Sequence, residues 1–115
     1  MNQILTDAQS LHDEIITNRR TIHQFAEIGF DLPQTYAYIF NKLTEYGYQP
    51  KKVGKMGITC LAGKPGRTIL LRADMNALPM AEESGESFAA VNGHCHSCGH
   101  DCHSAMLLGA AKLLK

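Results

Sequence analysis

Residues 94–103 read HCHSCGHDCH and hold four of the chain's six histidines and three of its four cysteines. Even scattering would place about one such residue in a window of that length, so the clustering needs a chemical reason. An apolar run from Ala105 to Leu114 follows almost at once. Whatever the fold, it must deliver a loop dense in soft donors to the start of a largely buried helix.

The rest of the chain fits one globular domain. Its 115 residues are 44% apolar and 19% charged, a folded rather than a disordered composition. Eleven basic residues balance eleven acidic ones. That balance removes the bulk attraction by which a nucleic-acid backbone or an anionic membrane surface would be held. No stretch approaches the roughly 18 apolar residues of a membrane span, and the first residues lack the layout of a signal peptide. A cytoplasmic protein without nucleic-acid or membrane partners is the expectation.

Apolar residues at Ala8, Leu11, Ile15, Ile16 and Ile22 recur at helical spacing and predict one amphipathic helix over 6–23. His12, Asp13, Glu14, Asn18, Arg19 and Arg20 would form its wet face. Pro33 is pre-set for a first helical turn, Tyr36, Ile39, Phe40, Leu43 and Tyr46 make a stripe, and Gly47 is a natural stop. The stripe residues Leu11, Ile15, Tyr36, Phe40 and Leu43 are expected in the core. Tyr48 to Val53 suits an edge strand, weakened by Pro50. Ile58 to Ala62 and Thr68 to Leu71 bracket Gly63-Lys64-Pro65-Gly66 and predict a hairpin. A polar loop then runs from Ala77 to Gly99, and Asp101 is a suitable N-cap for a last helix reaching Leu114. That helix is apolar nearly all round and has no stop signal before Lys115. Three helices and three or four strands are too few to cover it, so the chain reads as an incomplete α/β domain.

Cys98-Gly99-His100 sets a thiol and an imidazole two residues apart across a flexible glycine. Such donors suit zinc, and also Mn, Co or Ni when oxygen donors complete the shell. The plain alternative is a structural cysteine among incidental histidines.

Three runs carry a family resemblance: Leu71-Arg72-Ala73-Asp74-Met75-Asn76-Ala77-Leu78-Pro79, Glu82-Glu83-Ser84-Gly85, and His96-Ser97-Cys98-Gly99-His100-Asp101 continuing to Ala111. Together they resemble the amidohydrolase branch of the metallopeptidase and aminoacylase superfamily, which includes hippurate hydrolases, N-acyl-amino-acid amidohydrolases and N-acetyldiaminopimelate deacetylases. The segment from Arg19-Arg20 to Phe30 is similar too. The resemblance implies the N-terminal part of a zinc-exopeptidase-like catalytic domain, with helices packed on a mixed sheet and no lid or dimerisation domain. It implies two divalent ions per site, an N-acyl amino acid or related amide as substrate, and homo-oligomeric full-length relatives. By the same resemblance Cys98 is the thiolate that bridges the ions, His100 is a ligand of one of them, and Asp74 is the aspartate counted among the catalytic residues. His103 is a candidate to support the site or a plain surface residue.

The family usually has a second aspartate where this chain has Asn76, and small or apolar residues where it has Cys95 and Cys102. None of the carboxylates here matches the family's general base. Glu82 and Glu83 are expected to be solvated loop residues, and the 115 residues alone are expected to bind metal weakly and hydrolyse nothing measurable. The competing readings are a small zinc-stabilised binding module on Cys95, Cys98, Cys102 and a histidine, a thiol-disulfide oxidoreductase on Cys95-His96-Ser97-Cys98, and a cysteine nucleophile with a histidine base.

Overall fold

The computed structural model describes residues 2–115. In chain order it contains α1 (Asn2–Ser10), α2 (His12–Phe25), α3 (Pro33–Glu45), β1 (Lys51–Val53), β2 (Gly57–Thr59) and α4 (His100–Leu114). The single N-terminal helix expected over 6–23 is two helices with one break, at Leu11. Among the described residues, no helix is long and apolar enough to cross a membrane.

Pro33 occupies the first turn of α3 as its fixed φ favours. Leu32 at the N-cap offers no side-chain acceptor. Glu27 supplies it instead, its carboxylate accepting from the backbone N–H groups of Gln34 at 3.1 Å and Thr35 at 2.7 Å. Two of the helix's orphan donors are thereby satisfied by a charge suited to the positive end of the helix. At the other end Gly47 turns left-handed, with φ 94°. Gly47 N–H reaches Thr44 O and Tyr48 N–H reaches Leu43 O, both at 3.0 Å, the paired bonds of a Schellman ending.

The sheet differs from the expected one. β1 and β2 pair antiparallel with Lys51 opposite Thr59 and Val53 opposite Gly57. The turn lies at Gly54–Met56, not at 63–66. A Cβ on Gly57 would fall 2.6 Å from Val53 O, so glycine alone fits that register. Thr68 to Leu71 forms no strand, and Ile69 and Leu70 are 84% and 85% exposed. A β-prone run needs a neighbouring strand to take its backbone hydrogen bonds, and among the described residues none lies beside it.

Ile22, Ile39, Leu43, Tyr48 and Leu108 form the main core, with Met75 and Ala111 packed against it. Of the five residues expected there, only Leu43 is buried. Leu11, Ile15, Tyr36 and Phe40 are half-buried; for Tyr36 and Phe40 the reason is that α3 turns Thr35, Ile39 and Leu43 inward, one residue off the aromatic stripe. The wet face of α2 is also less wet than expected. Asn18 is buried and accepts a 2.6 Å hydrogen bond from Tyr38 Oη. α4 is covered along one side only, through Asp101, Ser104, Ala105, Leu108 and Gly109. Met106, Leu113 and Leu114 face outward. α2 crosses α4 closely at Gly109, where a Cβ would meet Ile15 Cδ1 at 3.0 Å.

Ile22 is fully buried between these helices. Ile22→Ala is expected to cost about 2–5 kcal/mol, read as a lowered urea midpoint at unchanged slope.

Candidate metal centre

Asp101 does not cap α4. Gly99, left-handed with φ 87°, holds that position, and Asp101 lies in the first turn with its side chain driven into the α2 interface. It is 0% exposed. Its Oδ2 accepts from Arg19 Nε and from His23 Nδ1, each at 2.7 Å. Burial works to raise its carboxyl, and the His23 hydrogen bond with the Arg19 charge outweighs that and holds it below the usual range.

This anchoring fixes the turn that carries Cys98 and His100. His100 Nδ1 lies 2.8 Å from Asn76 O and 2.9 Å from Asn76 Oδ1. Both are acceptors, so Nδ1 carries the hydrogen and Nε2 keeps its lone pair. Nε2 lies 3.7 Å from Asp74 Oδ2, and Arg72 pairs with the other oxygen of that carboxylate. The Cys98 thiol donates to the same Asn76 O at 3.6 Å. Of the three residues singled out in the sequence, Cys98 and His100 therefore share Asn76 O, and Asp74 lies beside the far nitrogen of His100. A thiol, an imidazole with its outer nitrogen free and a nearby carboxylate are a donor set that fits a borderline divalent ion. His103 is exposed, its ring 6.4 Å from that of His100.

The loop before the motif is ordered by long-range bonds. Leu78 and Cys95 exchange both backbone hydrogen bonds, at 2.9 and 3.0 Å. Asn92 Nδ2 donates to Phe25 O at 2.9 Å. Inside this closure Glu82 is not solvated: its side chain is 3% exposed. It accepts from Ser84 Oγ at 2.6 Å and Ala90 N–H at 2.8 Å, and faces His23 Nε2 at 2.8 and 2.9 Å. Burial would raise the carboxyl, but these bonds and the His23 charge hold it down to about 2. Glu83 is exposed as expected. His96 is buried with no partner on either ring nitrogen, and desolvation pushes it down to about 4. Local sequence pattern gives His23 no role and puts Glu82 in solvent. The available signal was the i, i+4 pair of Arg19 and His23 beside the buried stripe of α2.

The three clustered thiols do not converge. Cys95 is buried beside His23 and Glu82, Cys98 turns to Asn76, and Cys102 is exposed on α4. This arrangement does not favour a zinc module built on all three.

Comparison with known proteins points to one family. Residues 70–115 match the model of Peptidase family M20/M25/M40. An N-acyl-L-amino acid amidohydrolase of Geobacillus stearothermophilus is 39% identical over 87% of this chain. A solved structure assigned as an aminohydrolase, from methicillin resistant Staphylococcus aureus, superposes over 99% of the chain with a TM-score of 0.92 at 39% identity. The chain resembles part of the proteins of the M20 family. The Bacillus subtilis YXEP protein, described as a dinuclear metal binding peptidase from the M20 family, matches 92% of the chain at 35% identity and a TM-score of 0.85. The chain spans 28% of the Geobacillus enzyme and 32% and 31% of the two solved M20 chains.

Buried His96 and Glu82, together with buried Asp101, set the acid behaviour of this chain. In metal-chelated protein, neutral His96 contributes stability that is lost as pH falls from about 6.5 toward about 4. Ionised Glu82 contributes stability that is lost from about 4.3 down to about 2. Unfolding midpoints measured across this range should fall in both windows, and Glu82→Gln should flatten only the lower one.

Proposed function

We propose that these residues form part of a metal-dependent hydrolase site that cleaves the amide bond of N-acyl amino acids or related conjugates. The observation that carries this reading is the convergence of Cys98 and His100 on Asn76 O, which leaves His100 Nε2 free and facing Asp74. The name of the Geobacillus relative supports the substrate class.

Cys98 would hold both of two divalent ions as a bridging thiolate, and His100 would hold one through Nε2. When bound, the ions (Zn, Mn, Co or Ni) polarise the amide carbonyl and acidify a water. The chain's own contribution is orientation. Asn76 O fixes the His100 tautomer, and Arg72 steadies Asp74. Asp74 adds negative charge beside the ligand nitrogen, acting as a positioning residue. Asn76 offers a neutral oxygen where the resemblance leads one to expect a carboxylate, so less anionic charge faces the ions. Glu82 is engaged by His23, Ser84 and Ala90 and does not serve as the base at Cys98. We place the protein in the cytoplasm, where a reducing medium keeps Cys98 reduced, and its full-length relatives in homo-oligomers.

The purified 115 residues should hydrolyse no N-acetyl or N-benzoyl amino acid measurably. Carried in one polypeptide with the remainder of an M20 enzyme, they should support turnover. There Cys98→Ser and His100→Ala should each lower kcat/KM by more than the ~10–100-fold typical of losing an outer partner of a metal ligand. Full activity in Cys98→Ser would refute the assignment, and robust hydrolysis by the 115 residues alone would refute the need for further groups.

A further inference from the structure

Outside the Cys98–His100 pair, a cleft of about 420 Å³ opens between α2 and the loop that Leu78 and Cys95 close, with Arg19, His23, Glu82, Phe88, Cys95 and His96 among its lining. Three of these offer metal-ligand atoms that all lie within 4.8 Å of one another: His23, Glu82 and Cys95. Donors around a tetrahedral zinc sit about 3.4–3.8 Å apart, given bond lengths of roughly 2.0–2.3 Å. His23 Nε2 stands 2.8 and 2.9 Å from the two oxygens of Glu82, and the pair would open by about 0.5 Å to admit an ion between them, with Cys95 Sγ within 4.8 Å of both. The three residues come from separate segments, so their meeting is a product of the fold.

Two further observations point to a ligand. His96 is 4% exposed, lines the same cleft, and has no partner for either ring nitrogen. Its ring centroid is 6.1 Å from that of His23. A buried imidazole without partners is costly and calls for an explanation. His23 has a carboxylate at each ring nitrogen. The protonated ring donates to both carboxylates, and a cation can take the place of the hydrogen that faces Glu82. Asp101, itself held by Arg19, stands at Nδ1 as the orienting carboxylate of a metal-bound histidine does.

We propose that His23 Nε2, Glu82 and Cys95 Sγ, with His96 as fourth donor, bind one zinc-class divalent cation that clasps the loop to α2. Nitrogen, oxygen and thiolate donors together suit Zn²⁺ or Co²⁺. Binding releases to solvent the Cys95 thiol proton and any hydrogen held between His23 and Glu82. Four protein ligands close the shell, so the ion is structural and holds no substrate.

The test is Co²⁺ titration of the full 115-residue chain as the Cys98→Ser variant, which removes the other metal-facing thiol. One equivalent should bind with a thiolate-to-cobalt charge-transfer band and tetrahedral d–d bands. Both should vanish in Cys95→Ser/Cys98→Ser, with far-UV circular dichroism unchanged. Absence of the band in folded Cys98→Ser, or its persistence in the double variant, overturns the site. If Cys98→Ser does not fold, the wild-type chain is alkylated with and without Zn²⁺ and the modified cysteines are mapped by mass spectrometry. Protection of Cys95 at least ~10-fold supports the proposal, and equal labelling of Cys95 overturns it.

Discussion

A carboxylate with no solvent exposure is tolerable only where it is paired, and Asp101 is the charge around which this molecule is arranged. Arg19 and His23 reach it from one face of α2, one helical turn apart. Losing both contacts would leave buried charge uncompensated, which typically costs about 3–5 kcal/mol. The pairing therefore sets how α2 and α4 lie against each other. The close approach of Gly109 to Ile15 one end further along follows from that seating. With the start of α4 fixed, Gly99 turns left-handed and the two donors before and after it face Asn76.

The second half of the arrangement is loop closure. Ordering some twenty residues without a helix or strand costs on the order of 1–2 kcal/mol each in backbone entropy, so the loop needs dispersed anchors. They are present: the Leu78–Cys95 pairing, Asn92 on the end of α2, Ala77 N–H on Glu27 O and the Glu82 network. Glu27 and Glu82 act alike. Each is a carboxylate turned inward to accept backbone N–H groups that no regular element satisfies.

What could be read from the sequence was what depends on near neighbours. α3 was legible because Pro33 and Gly47 mark its ends and act within a few residues. The Cys98–His100 pair was legible because its spacing is two residues. The break at Leu11 was not, since apolar periodicity continues through it. The hairpin was misplaced because two glycine-bearing turns compete, and the decision rests on Gly57 approaching Val53 O. Glu82 and His23 are 59 residues apart and His23 and Asp101 are 78 apart. No local pattern marks such pairs, and a loop glutamate is by default a solvated one. Asn18 escaped for the same reason, since its partner Tyr38 lies on another helix.

His100 and Asp101 show why these long-range pairs matter to chemistry. They are adjacent in the first turn of α4, and consecutive helical residues point about 100° apart. One therefore turns toward Asn76 and Asp74, and the other toward Arg19 and His23. Neither side chain can be reoriented without dragging the same turn of backbone. The buried ion pair that fixes Asp101 thus also sets the direction of His100 Nε2. The rigidity that the proposed ligand imidazole would need is supplied by a helix-to-helix charge contact one residue away, which holds that nitrogen 3.7 Å from a carboxylate oxygen.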